Sequence, residues 1–227
     1  MKTTLALLAL LALGTAAYPG GDDEKKPEEP KKEEPNKDDP KKEDPKKDEA
    51  KKEEAAKPET APAFKLKDLA GKERTLEEFK GKYVVLEWIN HGCPFVIKQY
   101  KSGNMQALQK KYTEKGVIWL SICSSAEGME GNMTVKEWET KQAEVKAAPT
   151  AVLLDADGTA GRAYKAARTP HMFVIGKEGE ILYKGAIDDK PGAKLTEVKN
   201  SRCYVAEALD AAMAGKPIEV KSTAAYG

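Results

Sequence analysis

An apolar segment that runs directly into a cysteine and a helix start constrains the fold of this chain more than any other feature. Residues 84–89 are almost all apolar, as is typical of a strand buried on both faces of a sheet. Cys93 follows a short turn, and Pro94 suits the first turn of a helix. Unpaired N–H groups and partial positive charge at a helix start favour a thiolate there. Cys93 is therefore the predicted reactive residue.

Strand and helix patterns alternate along the rest of the chain. The predicted strands are 84–89, 117–123, 151–154, 171–175 and 181–186; the predicted helices are 94–116, one that begins at the capping box of Thr134 and Glu137, a short one through Ala163 and Tyr164, and 201–214. The last two strands are separated by a glycine-containing turn and predict a hairpin. The alternation predicts an α/β domain with helices on both faces of a largely parallel sheet, and the hairpin makes this central sheet a mixed one.

The first 17 residues have the pattern of a secretory signal peptide. A short basic start precedes the apolar run 5–13, and small residues favour cleavage after Ala17. The run is shorter than a bilayer span needs, so no membrane span is expected after cleavage; an uncleaved anchor is the alternative. Tyr18, not a cysteine, would follow the cut, which argues against a lipid anchor. We expect an exported protein, in the periplasm, the cell envelope or the extracellular space.

A charged, proline-rich tract covers residues 18–63. Lys, Glu, Asp and Pro dominate it, and it has too few apolar residues to build a core. It is predicted to be a disordered linker, acting either as a tether or as a solubility tail. The formal net charge of the whole chain is +1, which indicates no nucleic-acid partner. Residues 64–227 are left as the one predicted folded domain.

Four segments of this predicted domain form a characteristic set: residues 64–82, 90–96, 169–170 and 185–189. They resemble the thioredoxin-like superfamily, and within it the redoxin (alkyl hydroperoxide reductase/thiol-specific antioxidant-like) domain of a peroxiredoxin-like subgroup. The resemblance implies a thioredoxin-like fold and an antioxidant-type thiol oxidoreductase that needs no cofactor. It also implies that the Thr169–Pro170 bond is cis and lies against Cys93, where Thr169 offers backbone groups to an extended substrate.

The chain differs from thioredoxins and from peroxiredoxins at residues of their active-site motifs. Val96 stands where thioredoxins carry the second cysteine of their Cys-x-x-Cys motif. Asn90 and Leu86 stand where peroxiredoxins carry a threonine and a proline. Glu87 lies six residues before Cys93, the offset of the buried acid of thioredoxins. Burial would raise its pKa towards the range of a proton acceptor; the alternative is a strand-end carboxylate without a role.

Three cysteines occur in the chain, so at least one has no partner within it. Cys123 ends the predicted strand 117–123, and it is the candidate resolving thiol if that strand neighbours the strand before Cys93. The alternative is that Cys123 is a buried, unreactive side chain. Cys203 lies near the start of the last predicted helix and is expected to be remote or structural.

The chain's two histidines, His91 and His171, both lie near the predicted site. With Cys93 they form a set that suits copper or zinc, whereas His91 could instead assist the thiolate or accept a hydrogen bond. A thiol-dependent oxidoreductase is the leading hypothesis, with Glu87 or His91 moving protons. Its expected partners are a peroxide or disulfide substrate and a thiol or disulfide electron donor, either protein or small molecule. A copper- or zinc-binding carrier and a non-catalytic adaptor are the alternatives.

Overall fold

The computed structural model describes residues 58–227. The predicted signal peptide and residues 18–57 of the predicted linker lie outside this part of the chain. Among residues 58–227, none of the helices combines the length and apolar character that crossing a bilayer requires.

A seven-stranded mixed sheet forms the centre of the domain. Its strands are β1 (Lys65–Asp68), β2 (Glu73–Thr75), β3 (Val84–Trp88), β4 (Ile118–Cys123), β5 (Ala151–Leu154), β6 (His171–Ile175) and β7 (Ile181–Gly185). They lie in the order β2-β1-β5-β4-β3-β6-β7. The pairs β3–β4 and β4–β5 are parallel, and the other neighbours are antiparallel. The predicted mixed sheet and its hairpin are confirmed, but β1 and β2 were not predicted, because charged residues dominate both.

Helices cover the sheet on both faces. They are the 3-10 turn Glu77–Phe79, α1 (Pro94–Lys101), α2 (Asn104–Thr113), α3 (Val135–Glu144), α4 (Thr159–Tyr164), α5 (Leu195–Val198) and α6 (Tyr204–Met213). The capping box of Thr134 and Glu137 is present at the start of α3.

The prediction of a single helix over residues 94–116 is wrong, because a turn between α1 and α2 interrupts the helix. Gly103 has a φ of +78°, a conformation that strains any residue with a side chain, and it is the N-cap of α2. Tyr100 and Met105, on either side of the break, still reach the same core. The apolar spacing therefore continues across the break, which is why it is typical of one helix.

Two hydrophobic cores lie on the two sides of the sheet. The first contains Val85, Trp119 and residues of α1, α2, α3 and α6; the second contains Leu86, Phe173 and residues of β1 and α4. Successive β3 side chains serve alternate cores, so every residue of that strand is buried. This explains the continuous apolar run before Cys93.

The packed domain begins earlier than residue 64. The Ala61 N–H donates to the Gly179 carbonyl at 2.8 Å, and the Ile181 N–H donates to the Glu59 carbonyl at 2.7 Å. The Ala61 side chain is itself buried. Residues 59–63, assigned to the linker from sequence, therefore belong to the domain and lie against the β6–β7 hairpin.

Candidate active site

Cys93 is the residue immediately before α1, as its sequence position predicts. It has extended backbone angles, and Pro94 occupies the first helical position. The Cys93 N–H donates to the Asn90 carbonyl at 3.0 Å, and the Ile97 N–H donates to the Cys93 carbonyl at 2.9 Å. The turn after β3 and the first turn of α1 thus both hold this residue. The residue is partly buried, in contrast to the fully packed strand before it.

The Cys93 sulfur faces the segment that leads into β6. Its Sγ–H donates to the Thr169 carbonyl at 2.9 Å, and the side chain makes no capping hydrogen bond to α1. The Thr169–Pro170 bond is cis, in agreement with the resemblance. Trp88, the last residue of β3, pairs with His171 of β6, and this register brings the two segments together. The site is a partly exposed thiol held against one backbone carbonyl.

Glu87 lies wholly inside the first core, beneath α1 and α2. Its carboxylate accepts hydrogen bonds from Trp119 Nε1 (2.8 Å), Ser121 Oγ (3.0 Å), Gln109 Nε2 (3.1 Å) and the Tyr100 hydroxyl (3.3 Å). Burial raises its pKa above the ordinary value, although these four hydrogen bonds act in the opposite direction. The expected burial and direction of the shift are confirmed. Cys93 is not among the contacts of Glu87, so direct proton exchange between them has no support in this geometry.

His91 packs into the first core beside α1 and α3. Its ring centre lies 5.1 Å from that of Tyr100 and 5.3 Å from that of Trp138. Its Nε2 lies 3.1 Å from Gln142 Nε2. Burial, with nearby Lys141, lowers the pKa of His91 to about 4. His91 is therefore neutral near pH 7 and supplies no positive charge for the Cys93 thiolate.

His171 lies on the opposite side of the sheet. Its ring stacks on Phe173, a member of the second core, with 4.6 Å between ring centres. Its Nδ1 accepts a hydrogen bond from the Ala167 N–H at 3.3 Å. Burial, with nearby Lys184, lowers the pKa of His171 to about 4.

The metal set predicted from His91, Cys93 and His171 is wrong, because the two imidazoles pack into different cores. Within residues 58–227, no group of three or more His, Cys, Asp or Glu side chains could hold a metal ion.

Cys123 ends β4, which is a direct neighbour of β3, as the resolving role requires. However, the residue is buried, and its Sγ–H donates to the Gly131 carbonyl at 3.4 Å. β4 and β6 flank β3 on opposite sides, and the Cys93 sulfur faces the β6 side. All three cysteines are free thiols. This geometry fits the buried, unreactive alternative for Cys123 better than a resolving role.

Cys203 precedes α6 directly and is partly buried. Burial raises its pKa to about 11, so this thiol stays protonated near pH 7. That environment agrees with the structural role expected from sequence.

A buried lysine on α1 was missed by the sequence reasoning. The side chain of Lys98 is completely buried, and its Nζ donates to the carbonyls of Lys190 (2.6 Å) and Gly192 (2.8 Å). The Lys98 Nζ also lies 4.0 Å from Asp188 Oδ1, and Gln99 Nε2 donates to Asp188 Oδ2 at 2.7 Å. These contacts join segments 90–96 and 185–189 of the resemblance through α1. The available signal was a lysine within a run of buried helix positions.

Together, the strand order, the cysteine before α1 and the cis proline at its side define a thioredoxin-like fold. Residues 58–184 match the AhpC/TSA family, and the chain belongs to that family.

Curated relatives include proteins named thiol-disulfide oxidoreductase ResA. The one from Bacillus thuringiensis subsp. konkukian is 31% identical over 122 residues, which are 54% of this chain and 65% of the relative. One from Bacillus cereus matches with the same identity and coverage. The chain thus spans 65% of the length of these relatives.

Two solved structures support the fold. An uncharacterized conserved protein from Geobacillus kaustophilus has a TM-score of 0.63 and 26% identity, over 73% of this chain and 86% of that one. A hypothetical protein from Sinorhizobium meliloti 1021 has a TM-score of 0.62 and 24% identity, over 74% of this chain and 91% of that one.

Proposed function

We propose that the domain is a thiol-disulfide oxidoreductase that acts through Cys93. The observation that carries this proposal is the position of Cys93: a partly buried residue before α1, with its sulfur 2.9 Å from the Thr169 carbonyl beside the cis bond. The name of the curated relatives supports the reaction class.

The reaction begins with the Cys93 thiolate, which attacks one sulfur of a disulfide substrate. The substrate S–S bond breaks, a new S–S bond forms to Cys93, and the leaving thiolate departs with the electron pair. A second thiolate then attacks the mixed disulfide, frees Cys93 and completes the reduction. Thr169 contributes the backbone against which the sulfur is held.

The second thiol is proposed to come from another molecule. Val96 is completely buried at the position where a resolving cysteine would follow Cys93, and Cys123 lies beneath the Gly131 carbonyl. A one-cysteine cycle with a small-molecule or protein thiol as electron donor fits this arrangement. Glu87 and His91 then support α1 from below instead of exchanging protons with Cys93.

Hydroperoxide reduction by the same thiol has less support. In that reaction the thiolate attacks a peroxide oxygen, an S–O bond forms as the O–O bond breaks, the other oxygen leaves as an alcohol or water after protonation, and Cys93 becomes a sulfenic acid. Asn90 stands in the place of the peroxiredoxin threonine. Its side chain is already engaged, because it accepts from the Gly92 N–H (2.7 Å) and donates to the Glu130 carbonyl (3.3 Å).

Export of the protein is inferred from the sequence pattern of residues 1–17 alone. After cleavage the charged linker would be the N-terminal segment of the exported protein. N-terminal sequencing of the mature protein checks this inference. A start at Tyr18 supports it, and an intact Met1 on a cell-internal protein contradicts it.

Exchange with a small disulfide tests the proposed function. The full chain is mixed with reduced glutathione and 2-hydroxyethyl disulfide, and turnover is compared with that of matched serine variants. Cys93→Ser should lower turnover about 100-fold or more, because the attacking sulfur is lost. Cys123→Ser and Cys203→Ser serve as controls and should retain it.

Equal turnover by Cys93→Ser and the parent protein would overturn the proposal and favour the non-catalytic adaptor. A peroxide-dependent turnover that exceeds the disulfide turnover would replace disulfide exchange with the hydroperoxide reaction.

A further inference from the structure

The segment after α6 returns to the site along the free edge of β7. The Lys184 N–H donates to the Lys221 carbonyl, and the Thr223 N–H donates to the Lys184 carbonyl, both at 3.1 Å. A parallel bridge joins Lys184 to Ser222. The segment is therefore held as an additional edge of the sheet.

Thr223 fastens this segment to the end of β7. Its Oγ1 accepts a hydrogen bond from the Ala186 N–H at 3.0 Å and lies 2.6 Å from the Tyr183 hydroxyl. A Cβ atom at Gly185 would lie 2.4 Å from the Thr223 carbonyl oxygen, so the contact requires glycine at this position. The close approach is thus built into β7 itself.

Tyr226 forms the next contact, on the first turns of α1. Its hydroxyl donates to Asp188 Oδ1, and Lys98 Nζ lies 3.4 Å from the Tyr226 oxygen. Its ring centre is 5.7 Å from that of Phe95, which is two residues after Cys93. Tyr226 therefore joins the segment after α6, called the tail below, to the buried pair Lys98 and Asp188 beside the candidate active site.

Gly227 reaches the backbone group that holds the thiol. A Cβ atom on Gly227 would lie 2.4 Å from the Thr169 carbonyl oxygen and 3.0 Å from its nitrogen. That carbonyl is the acceptor of the Cys93 Sγ–H. A polypeptide that lay along Thr169 to present its disulfide to Cys93 would have to displace Gly227.

Space for a smaller molecule remains beside this contact. A cavity of about 310 Å³ is bordered by Asn90, Thr169 and Gly227, among others. Its size falls at the lower end of the range for small-molecule sites. The tail thus leaves open space beside Thr169, whose carbonyl accepts the Cys93 thiol, although Cys93 itself does not border this cavity.

We propose that residues 222–227 form a strap that admits small disulfides to Cys93 and excludes extended polypeptide disulfides until Tyr226 leaves Asp188. The inference rests on the proposed function, since it specifies which disulfides the same thiol can reach. Because only the open fraction of the molecules reacts with an extended substrate, the apparent rate equals the intrinsic rate multiplied by that fraction. Tyr226 is here a specificity-determining residue.

Two probes with one leaving group test the strap. The small probe is 5,5′-dithiobis(2-nitrobenzoate), and the large probe is an eight-residue peptide whose central cysteine carries thionitrobenzoate in a disulfide. In both, the Cys93 thiolate forms a new S–S bond, the probe S–S bond breaks, and thionitrobenzoate leaves with the electron pair. Mass spectrometry of the Cys93 peptide gives the two rates and their ratio.

The full chain is compared with a chain stopped after Thr223 and with Tyr226→Phe, which keeps the ring and removes the hydroxyl. We expect the peptide-to-small-probe rate ratio to rise about tenfold in the stopped chain and about threefold in Tyr226→Phe. Lys221→Ala is the control, because it alters an exposed tail side chain and keeps the backbone pairing; its ratio should not change. Thermal unfolding of each variant verifies that the domain is intact.

An unchanged ratio in the stopped chain, with both probes reacting at Cys93, would overturn the strap. A Cys93 that reacts with neither probe in any variant would also overturn it, since the tail would then not limit access. The proposed function has a separate readout in glutathione-dependent turnover. If turnover is absent but the ratio rises as expected, the function fails and the strap stands.

Discussion

Cys93 and Cys123 follow the ends of two neighbouring parallel strands, yet the structure gives the two thiols opposite environments. Cys93 lies beyond β3 at a helix start, is half-buried, and faces the Thr169 carbonyl. Cys123 is the last residue of β4, is buried, and faces the Gly131 carbonyl beneath the loop that follows it. Both sulfurs donate to a backbone carbonyl, so the difference is one of access. Two thiols that follow the same edge of a sheet therefore need not have the same burial.

The difference in burial between Cys93 and Cys123 can be tested at the loop that covers Cys123. Gly131 has a φ of +85°, and a Cβ atom there would lie 2.6 Å from the Asn90 side chain, which donates to the Glu130 carbonyl; Gly131→Ala must therefore displace the Asn90 side chain or the loop, and either movement disturbs this contact. We expect iodoacetamide to label Cys123 about tenfold faster in this variant, because local opening governs access to buried groups. Gly128→Ala is the matched control. Its φ is +76° with nothing within 4 Å of the added Cβ, so it adds backbone strain without the clash.

Equal labelling of Cys123 in Gly131→Ala and Gly128→Ala, measured by mass spectrometry, would show that the loop does not protect this thiol.

Glu87 provides a smaller test, which separates the stability of the fold from the difference between the thiols. Its pKa is raised by burial, so the folded protein binds a proton that the unfolded chain releases. This contribution to the free energy of unfolding is complete below pH 4.5, the ordinary value, and is lost as the pH rises through the raised pKa. Glu87→Gln should remove the loss, so its stability relative to the parent protein should increase with pH above 4.5.

Urea unfolding of Glu87→Gln and the parent protein across that pH range measures the effect. The labelling rates of Cys93 and Cys123 should stay within about twofold, because neither thiol contacts the carboxylate. A Cys93 rate that falls strongly in Glu87→Gln would instead support the proton-acceptor role considered from sequence.

The smallest effect on the thiols is expected from the two histidines. Both have a pKa lowered to about 4 by burial, so both are neutral when Cys93 is assayed near pH 7. Their contribution to stability is present above pH 6.5 and is lost as the pH falls from 6.5 towards 4, where the unfolded chain binds more protons. We expect His91→Gln to leave the Cys93 labelling rate between pH 6 and 8 within about twofold of the parent.

An NMR titration of the two imidazoles checks these pKa values. A midpoint near 6.5 for His91 would show that its ring is solvated and would restore it as a charged neighbour of Cys93.

The sequence predicted those parts of the fold whose signals are local. The predicted buried strand 84–89 is confirmed over Val84–Trp88, because its successive side chains are buried on alternate sides of the sheet. The helix over 94–116 was wrongly predicted to be continuous, because the apolar spacing does not reveal the turn at Gly103. β1 and β2 escaped prediction, since short strands with charged residues acquire their structure from pairing with neighbours.

The sequence predicted where the candidate site lies, but it did not correctly predict which side chains surround Cys93. Cys93 and Thr169 do meet, as the resemblance implies. The metal set failed because sequence proximity to the site does not say on which side of the sheet His91 and His171 pack. Lys98 was missed because its partners follow β7, far along the chain, and no local pattern marks such a contact.

The sequence by itself determined which thiol precedes a helix, which strand supports it, and that no resolving cysteine follows three residues later. These properties depend on neighbouring residues and on backbone periodicity, so they can be read along the chain. Only the tertiary structure decided that Cys123 is covered, that the histidines are separated by the sheet, and that Tyr226 reaches Asp188 while Gly227 reaches Thr169. Those features arise from contacts between distant segments, whose geometry is set by the packing of the whole domain.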